Sequence, residues 1–257
     1  MPELPAPHHP ENPGPDPWAT LKTHTAARIA LGRTGTSVPL REALAFRLAH
    51  AHARDAVYSV LELEQLLPEL MALQLPVNEV RSRAHDRQEY LQRPDLGRQL
   101  HEQSRQLLQE LRAEGIDVAV VLADGLSAAA VNKHAVPLLQ LLLPKLQTAG
   151  FRLAPLVVAE QARVAIGDEV GELLGAQLVV VLIGERPGLS SPQSLGAYFT
   201  YGPRVGLTDE ARNCVSNIRP EGLSYDFAAE RLFFLLQESL RRKLSGVQLK
   251  DSSQLLN

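Results

Sequence analysis

"IDVAVVLADG", residues 116–125, decides the fold class of this chain of 257 residues. A short, continuous apolar run rich in β-branched residues and closed by Asp124-Gly125 is typical of a strand that is buried on both faces. Two similar runs follow, "FRLAPLVVA" (151–159) and "AQLVVVLIGE" (176–185), each after a helical stretch. This alternation predicts an α/β fold with a doubly wound, mostly parallel, Rossmann-like sheet.

The chain before these strands has a different pattern. Between residues 18 and 111 apolar side chains recur at helical spacing, and in "VPLREALAFRLAHA" leucines at every fourth position form one stripe. We therefore expect a helical domain over 18–111 and an α/β domain over 112–257, whose last part contains two short candidate strands and a terminal helix. The first 17 residues contain seven prolines, which predicts a flexible proline-rich tail.

Composition excludes several classes of function. The formal net charge is −3 and no basic block occurs, so nucleic acid is not an expected partner. No apolar run reaches the roughly 20 residues of a membrane-spanning helix, so no membrane partner is expected. A single cysteine excludes an internal disulfide framework and suits a reducing cytoplasm.

Two features at the strand ends are candidate sites, because ligands of open parallel sheets bind at the carboxyl ends of strands. Ser127 follows the first strand, but His134 lies two turns further along the same helix and cannot act as its base. We interpret Ser127 as a cap or first-turn donor of that helix. Gly167, Gly171 and Gly175 recur every four residues, which fits either close helix–sheet packing or the approach of a ligand.

The third candidate follows the strand that ends at Gly184. Pro187-Gly188 predicts a type II turn that would hold Glu185 and Arg186 at the strand tip. From the residues alone, a surface ion pair and a ligand site both remain open there. No metal-ligand spacing and no paired carboxylates stand out, so we predict no metal site.

Five stretches together resemble the small (light) subunit of ethanolamine ammonia-lyase. They are "ARIALGRTGTSVPLREALAFRLAHAHARDAV", "RPDLGR", "VVLADGLSAAAV", "IGERPGLSSPQSLGAYFTYGP" and "TDEARNCVSNIRPEGL". The resemblance extends from Trp18 to Gln248, and "IGERPGL" and "RNCVSNI" are its most specific parts. It implies an adenosylcobalamin-dependent lyase that converts ethanolamine to acetaldehyde and ammonia by a radical mechanism. It further implies a hetero-oligomer with a large subunit, in the cytoplasm and in a bacterial microcompartment.

The resemblance also implies which residues contact the cofactor. These are Val164 in "QARVAIG", Glu185 in "IGERPGL" and Cys214 in "RNCVSNI", all within the predicted domain 112–257. Val164 would give van der Waals contact, Glu185 would accept hydrogen bonds from corrin amides, and Cys214 would lie beside the ring. The interval between Glu185 and Cys214 is one residue shorter than the family pattern leads us to expect. The substrate-binding residues and those that steer the radical would belong to the large subunit, so the resemblance implies no catalytic residue in this chain.

The sequence bears on the state of the cofactor as well. Cobalamin proteins that supply a histidine as lower ligand carry Asp-x-His-x-x-Gly, and Asp-x-His does not occur here. We therefore expect a base-on cofactor. The alternative hypothesis is a self-sufficient small-molecule-binding α/β protein that uses its helical region as a dimerisation arm.

Overall fold

The computed structural model describes residues 16, 18–25 and 27–250; apart from Asp16, the predicted proline-rich tail lies outside them. This part of the chain contains a six-stranded sheet in the order β1-β3-β2-β4-β5-β6. Strands β1 to β4 are parallel, and β5 and β6 extend one edge in antiparallel fashion. The strands are β1 Val77–Arg81, β2 Ile116–Ala123, β3 Leu156–Glu160, β4 Ala176–Gly184, β5 Leu195–Tyr201 and β6 Arg212–Ile218.

Helices cover both faces of this sheet. Helices α2, α5 and α7 pack on one face, and α4 and α6 pack on the other. The predicted doubly wound, mostly parallel α/β fold is therefore confirmed. The α-helices are α1 Leu40–Val57, α2 Leu63–Met71, α3 Arg87–Gln92, α4 Glu102–Glu110, α5 Ala128–Thr148, α6 Ile166–Leu174 and α7 Tyr225–Arg242.

The central strands are apolar throughout because they contribute to two cores. In β2, Val120 packs with α5 and α7 while its neighbour Val121 packs with α6. Successive side chains of a strand point to opposite faces, so a strand covered on both sides has no solvent-facing position to fill with a polar residue. The same logic holds for β4, whose residues from Leu178 to Gly184 are all buried.

The expectation of helices throughout residues 18–111 is wrong at one place. Residues Val77–Arg81 form β1, which pairs in parallel with β3 and places Val77 opposite Leu156. This strand was not predicted, because the sequence "VNEVR" lacks the apolar run of an inner strand. It lies at the sheet edge, and only Val80 is buried. The proposed domain boundary at 111/112 stays a prediction.

Helix α1 forms as predicted, but its leucine stripe faces away from the rest of the chain. Leu40, Leu44 and Leu48 are exposed, and only Ala56 of the 18 residues is buried.

The longest helix, α5, has 21 residues and packs on the sheet. None of the helices within residues 16, 18–25 and 27–250 is long and apolar enough to cross a membrane.

Candidate functional site

Asp124 fills the crevice between the carboxyl ends of β2 and β3. The chain leaves β2 towards α5 on one face and β3 towards α6 on the other, which makes this crevice the usual ligand position of the fold. Its Oδ1 accepts hydrogen bonds from the N–H groups of Gly125 (2.9 Å) and Ala162 (2.8 Å), and its Oδ2 accepts one from Gln161 (2.9 Å). Burial raises the pKa of Asp124 to about 6. The chain's own carboxylate thus occupies the crevice.

Two arginines and a buried tyrosine support this carboxylate. Arg87 lies 3.6 Å from Asp124, Nη1 to Oδ2, and the same nitrogen donates a hydrogen bond to the carbonyl of Gly125 (2.8 Å). The guanidinium carbons of Arg87 and Arg163 lie 4.6 and 4.0 Å from the ring centroid of Tyr90. Burial raises the pKa of the Tyr90 hydroxyl, so the ring stays neutral between two cations.

A cavity of about 460 Å³ opens beside this cluster, at the carboxyl ends of β3 and β4. Two of the three predicted cofactor contacts, Val164 and Glu185, line it. The other lining residues are Tyr90, Gly125, Leu126, Arg163, Ile183, Gly184, Arg186 and Tyr198. The cavity combines an apolar wall with one carboxylate and two guanidinium groups, which suits a ligand that is partly apolar and carries polar substituents.

Glu185 is held rigidly through one of its two carboxylate oxygens. Oε2 accepts hydrogen bonds from the Ser194 hydroxyl (2.5 Å) and from the Asn217 N–H group (3.1 Å). The Glu185 N–H group also donates to the Ser194 carbonyl at 2.9 Å. Within residues 27–250 no hydrogen bond reaches Oε1, and Arg186 makes no ion pair with Glu185. The surface-pair interpretation is therefore wrong, and the Glu185 side chain, which lines the cavity, has one carboxylate oxygen without a hydrogen bond in this part of the chain.

Cys214 lies on β6 directly opposite Tyr198 of β5. Tyr198 packs with Val164 in the core on the α6 side of the sheet, so Cys214 points to that side too. Desolvation raises the pKa of the Cys214 thiol; its hydrogen bond with Tyr198 opposes this effect and the negative charge of Glu185 adds to it. Tyr198 thus lies against Cys214 and lines the cavity together with Val164 and Glu185, although Cys214 itself remains exposed on an open strand face.

The loop between β4 and β5 differs from the predicted type II turn. That turn would require a positive φ at Gly188, and Gly188 does not have one. Gly188 and Ser191 instead exchange two backbone hydrogen bonds of 3.2 and 3.3 Å, so the chain reverses after Pro187-Gly188 and not at it.

Ser127 and His134 fasten the far end of this loop. Ser127 occupies the cap position of α5 but makes no capping bond; its hydroxyl donates to the carbonyl of Pro192 (3.1 Å). His134 lies 3.0 Å from the carbonyl of Gln193 through Nε2, which must carry the proton, and 2.7 Å from the Tyr225 hydroxyl through Nδ1. The predicted capping bond is wrong, and both side chains help to fix the loop that carries Glu185.

The glycines of α6 face the sheet. A Cβ atom on Gly167 would lie 2.3 Å from Cγ2 of Val181, and one on Gly171 would lie 2.5 Å from Cγ of Pro203. Gly175 ends the helix in the left-handed conformation, with φ of 73°. Close packing, the first of the two interpretations, accounts for Gly167 and Gly171.

A larger cavity of about 1000 Å³ lies between α4, α6 and the loop before β6. Its buried carboxylates are already paired: Asp168 lies 2.5 Å from Arg212, and Glu169 pairs with Arg105. The described part of the chain contains no group of three or more His, Cys, Asp or Glu side chains that could hold a metal ion. The smaller cavity, with its free acceptor, is the better candidate site.

Comparison with known proteins identifies the family. The family model described as "Ethanolamine ammonia-lyase light chain (EutC)" matches residues 15–250. The ethanolamine ammonia-lyase small subunit of Azotobacter vinelandii is 56% identical over 243 residues, which cover 93% of this chain and 90% of the relative. Those of Pseudomonas fluorescens and Ralstonia nicotianae are 55% and 54% identical, cover 93% of this chain, and are themselves covered to 89% and 90%. The chain belongs to the ethanolamine ammonia-lyase small-subunit family.

Membership in the ethanolamine ammonia-lyase small-subunit family did not reveal every residue of the site. Ser194, Tyr198 and the backbone of Asn217 shape it, and none was predicted. A partial signal existed, because pairing of Gly184 with Leu195 places Ser194 next to Glu185 across the hairpin. The position of Asn217 depends on the register of β6, which no local pattern specifies.

Proposed function

We propose that this chain is the small subunit of an adenosylcobalamin-dependent ethanolamine ammonia-lyase and holds the cofactor at the interface with the large subunit. The assembled enzyme would convert ethanolamine to acetaldehyde and ammonia. Family membership supports the activity, and one structural observation supports the role of this chain: Glu185 lines an open cavity and, within the described residues, its Oε1 has no hydrogen-bond partner.

The residues fit the chemistry of a corrin. The ring carries amide side chains at its edge, and an amide N–H group is a good donor for a carboxylate oxygen that lacks a partner. Val164 offers an apolar contact at the mouth of the same cavity. Beyond Tyr198, Cys214 and Ser216 leave one face of the antiparallel strands open, and a broad, partly apolar ligand could cover it.

The site has walls on one side only. Cys214 and Ser216 are exposed, and Glu185 is only partly buried, so a ligand bound here would keep one face open to water. A large subunit that closes this side would exclude water from the cofactor. The radical chemistry would come from adenosylcobalamin, while this chain binds and orients it. We accordingly assign no catalytic residue to this chain.

The alternative of a self-sufficient small-molecule-binding protein has less support. A nucleotide in the crevice between β2 and β3 would need the N–H groups of Gly125, Gln161 and Ala162, and the Asp124 carboxylate already binds them. A hydrolase based on Ser127 is disfavoured as well. The Ser127 hydroxyl bonds to Pro192, and both ring nitrogens of His134 have other partners.

Reconstitution tests the proposal. The purified chain is mixed with an ethanolamine ammonia-lyase large subunit, adenosylcobalamin and ethanolamine, and acetaldehyde is followed with each component omitted in turn. We expect acetaldehyde from the complete mixture only. The Azotobacter vinelandii small subunit serves as the matched control that the large subunit is competent. Activity with that subunit and none with this chain would contradict the proposal.

Two finer features stay predictions of the resemblance. The base-on state would be seen in the visible spectrum of the bound cobalamin. Localisation in a bacterial microcompartment would be seen by fractionating cells that grow on ethanolamine.

A further inference from the structure

Helix α1 is amphipathic, but its large apolar side chains face solvent and its alanine-rich face lies against the chain. A surface helix normally turns its large apolar side chains to its own core. In α1 the alanine-rich face, which includes Ala49, Ala53 and Ala56, turns towards the chain. The leucine stripe, defined as Leu40, Leu44 and Leu48, is exposed to 74%, 54% and 59%.

The chain by itself does little to stabilise this helix. An isolated helix of fewer than about 12–15 residues is marginal in water, and longer ones still depend on packing of an apolar face. Few polar contacts hold α1 to its surroundings. Arg28 donates to the carbonyl of Ala45 (3.3 Å), Arg87 donates to that of Val57 (2.6 Å), and Lys22 lies 3.9 Å from Glu42. The exposed apolar surface continues before the helix with Trp18, Leu21 and Val38. A contiguous patch of this kind marks an interaction surface.

Two observations specify the occupant. Arg41, Arg47 and Arg54 border or extend the stripe, and none forms an ion pair within the described residues. An apolar groove edged with carboxylates would complement them, whereas a second copy of α1 would offer only two acidic residues, Glu42 and Asp55, against three arginines. The helix also ends near the candidate site, because Arg87 bonds to its carboxyl end and to Gly125 at the cavity.

We propose that the leucine stripe docks into an apolar groove with an acidic rim on the large subunit. This inference rests on the proposed function, since it makes α1 an extension of the interface that closes the cofactor site. Docking would bury the leucines, pair the arginines and stabilise the helix together.

Two variants that each introduce negative charge at exposed apolar positions test this surface. In the double variant Leu44→Glu/Leu48→Glu, both side chains are exposed in the free chain, so its circular dichroism and urea midpoint should match the wild type. The matched control is Met71→Glu on α2, where the side chain is exposed to 58%. Affinity for a tagged large subunit is measured by titration with adenosylcobalamin present. We expect a loss of about 100-fold for the leucine variant and less than about 3-fold for the control.

Two further measurements test the part that the arginines of α1 play in binding the large subunit. Arg41→Glu/Arg47→Glu should weaken association about 10-fold, mainly at low salt, because exposed charges are screened. Trypsin should cleave the free chain after Arg41, Arg47 or Arg54 and should leave these bonds intact in the complex.

Each contrary result has a distinct meaning. Equal affinity of wild type and leucine variant, with acetaldehyde formed by both, overturns the docking surface and leaves the proposed function in place. A wild-type chain that fails to bind a large subunit which accepts the Azotobacter vinelandii small subunit overturns both. A free chain that sediments as a dimer, and as a monomer after the leucine substitutions, overturns the large subunit as occupant in favour of a second copy.

Discussion

Asp124 and Glu185 are two carboxylates that follow neighbouring parallel strands, and they differ in how many partners the chain gives them. Asp124 uses both oxygens on three backbone N–H groups and faces a guanidinium. Glu185 lines a cavity and uses only one oxygen; the other has no hydrogen bond within the described residues. A carboxylate at a strand end therefore serves the fold when its acceptors are saturated, and becomes a candidate for ligand binding when one of them lacks a partner.

The largest expected effect is on stability, at the saturated carboxylate. Asp124→Ala removes the acceptor of three N–H groups and the counter-charge of buried Arg87, which should lower the free energy of unfolding by about 3–5 kcal/mol. Glu185→Ala should cost less than about 1.5 kcal/mol, because it removes two hydrogen bonds at a partly exposed site. Urea unfolding followed by circular dichroism measures both. Equal losses would remove the distinction between the two carboxylates.

The next effect is on cofactor affinity, at the carboxylate with a free oxygen. In Glu185→Gln the amide oxygen can still accept from Ser194 and Asn217, but a donor replaces the free acceptor. We expect cobalamin to bind the reconstituted complex about 10–100-fold more weakly, as for loss of one hydrogen bond to a charged group, with little change in stability. Equilibrium dialysis with labelled cobalamin checks this.

Ser194→Ala is the matched variant for this measurement. It leaves the charge and frees Glu185 to rotate, so it should give a smaller loss of affinity than Glu185→Gln. Unchanged affinity in both variants would show that the free oxygen does not face the cofactor.

A third effect concerns α6, which packs beside both carboxylates. Gly167→Ala places a methyl group 2.3 Å from Val181, so overpacking should lower stability by about 1–3 kcal/mol. Cobalamin affinity of the folded variant should stay within about 3-fold of the wild type, below the roughly 1.4 kcal/mol that a tenfold change represents. A large loss of affinity with normal stability would instead support the ligand interpretation of these glycines.

The sequence predicted the layered fold well because its deciding signals are local. A continuous apolar strand such as "VVVLIG" and the helices between strands depend on period and composition within ten to twenty residues. Edge strand β1 was not predicted, because its signal is not local. It has one buried residue, and it forms a strand by pairing with β3, over 70 residues away.

The site was predicted less completely, since its geometry depends on contacts between distant segments. The resemblance supplied Val164, Glu185 and Cys214; the first two line one cavity with Tyr198, and Cys214 lies opposite Tyr198 on the neighbouring strand. Whether they touch a cofactor stays a prediction. The two hydrogen bonds that Asp124 accepts from the N–H groups of residues 161 and 162 could not be predicted from "ADG". They join the ends of β2 and β3, which meet only in the folded sheet.

The smallest expected effect is a rate at Cys214, on the open side of the site. Desolvation raises the pKa of the Cys214 thiol, so less thiolate is present at a given pH. The rate of alkylation by iodoacetamide should therefore be half-maximal at a pH above about 8.5, the ordinary pKa of cysteine. Glu185→Gln should move this midpoint down, because the negative charge of Glu185 raises the pKa, and Tyr198→Phe should move it up, because the Tyr198 hydrogen bond lowers it. Addition of large subunit and cobalamin should slow alkylation further. If Cys214 were alkylated in the active complex as fast as in the free chain, it would lie outside the cofactor interface. The predicted cofactor contacts would then be restricted to Glu185 and Val164.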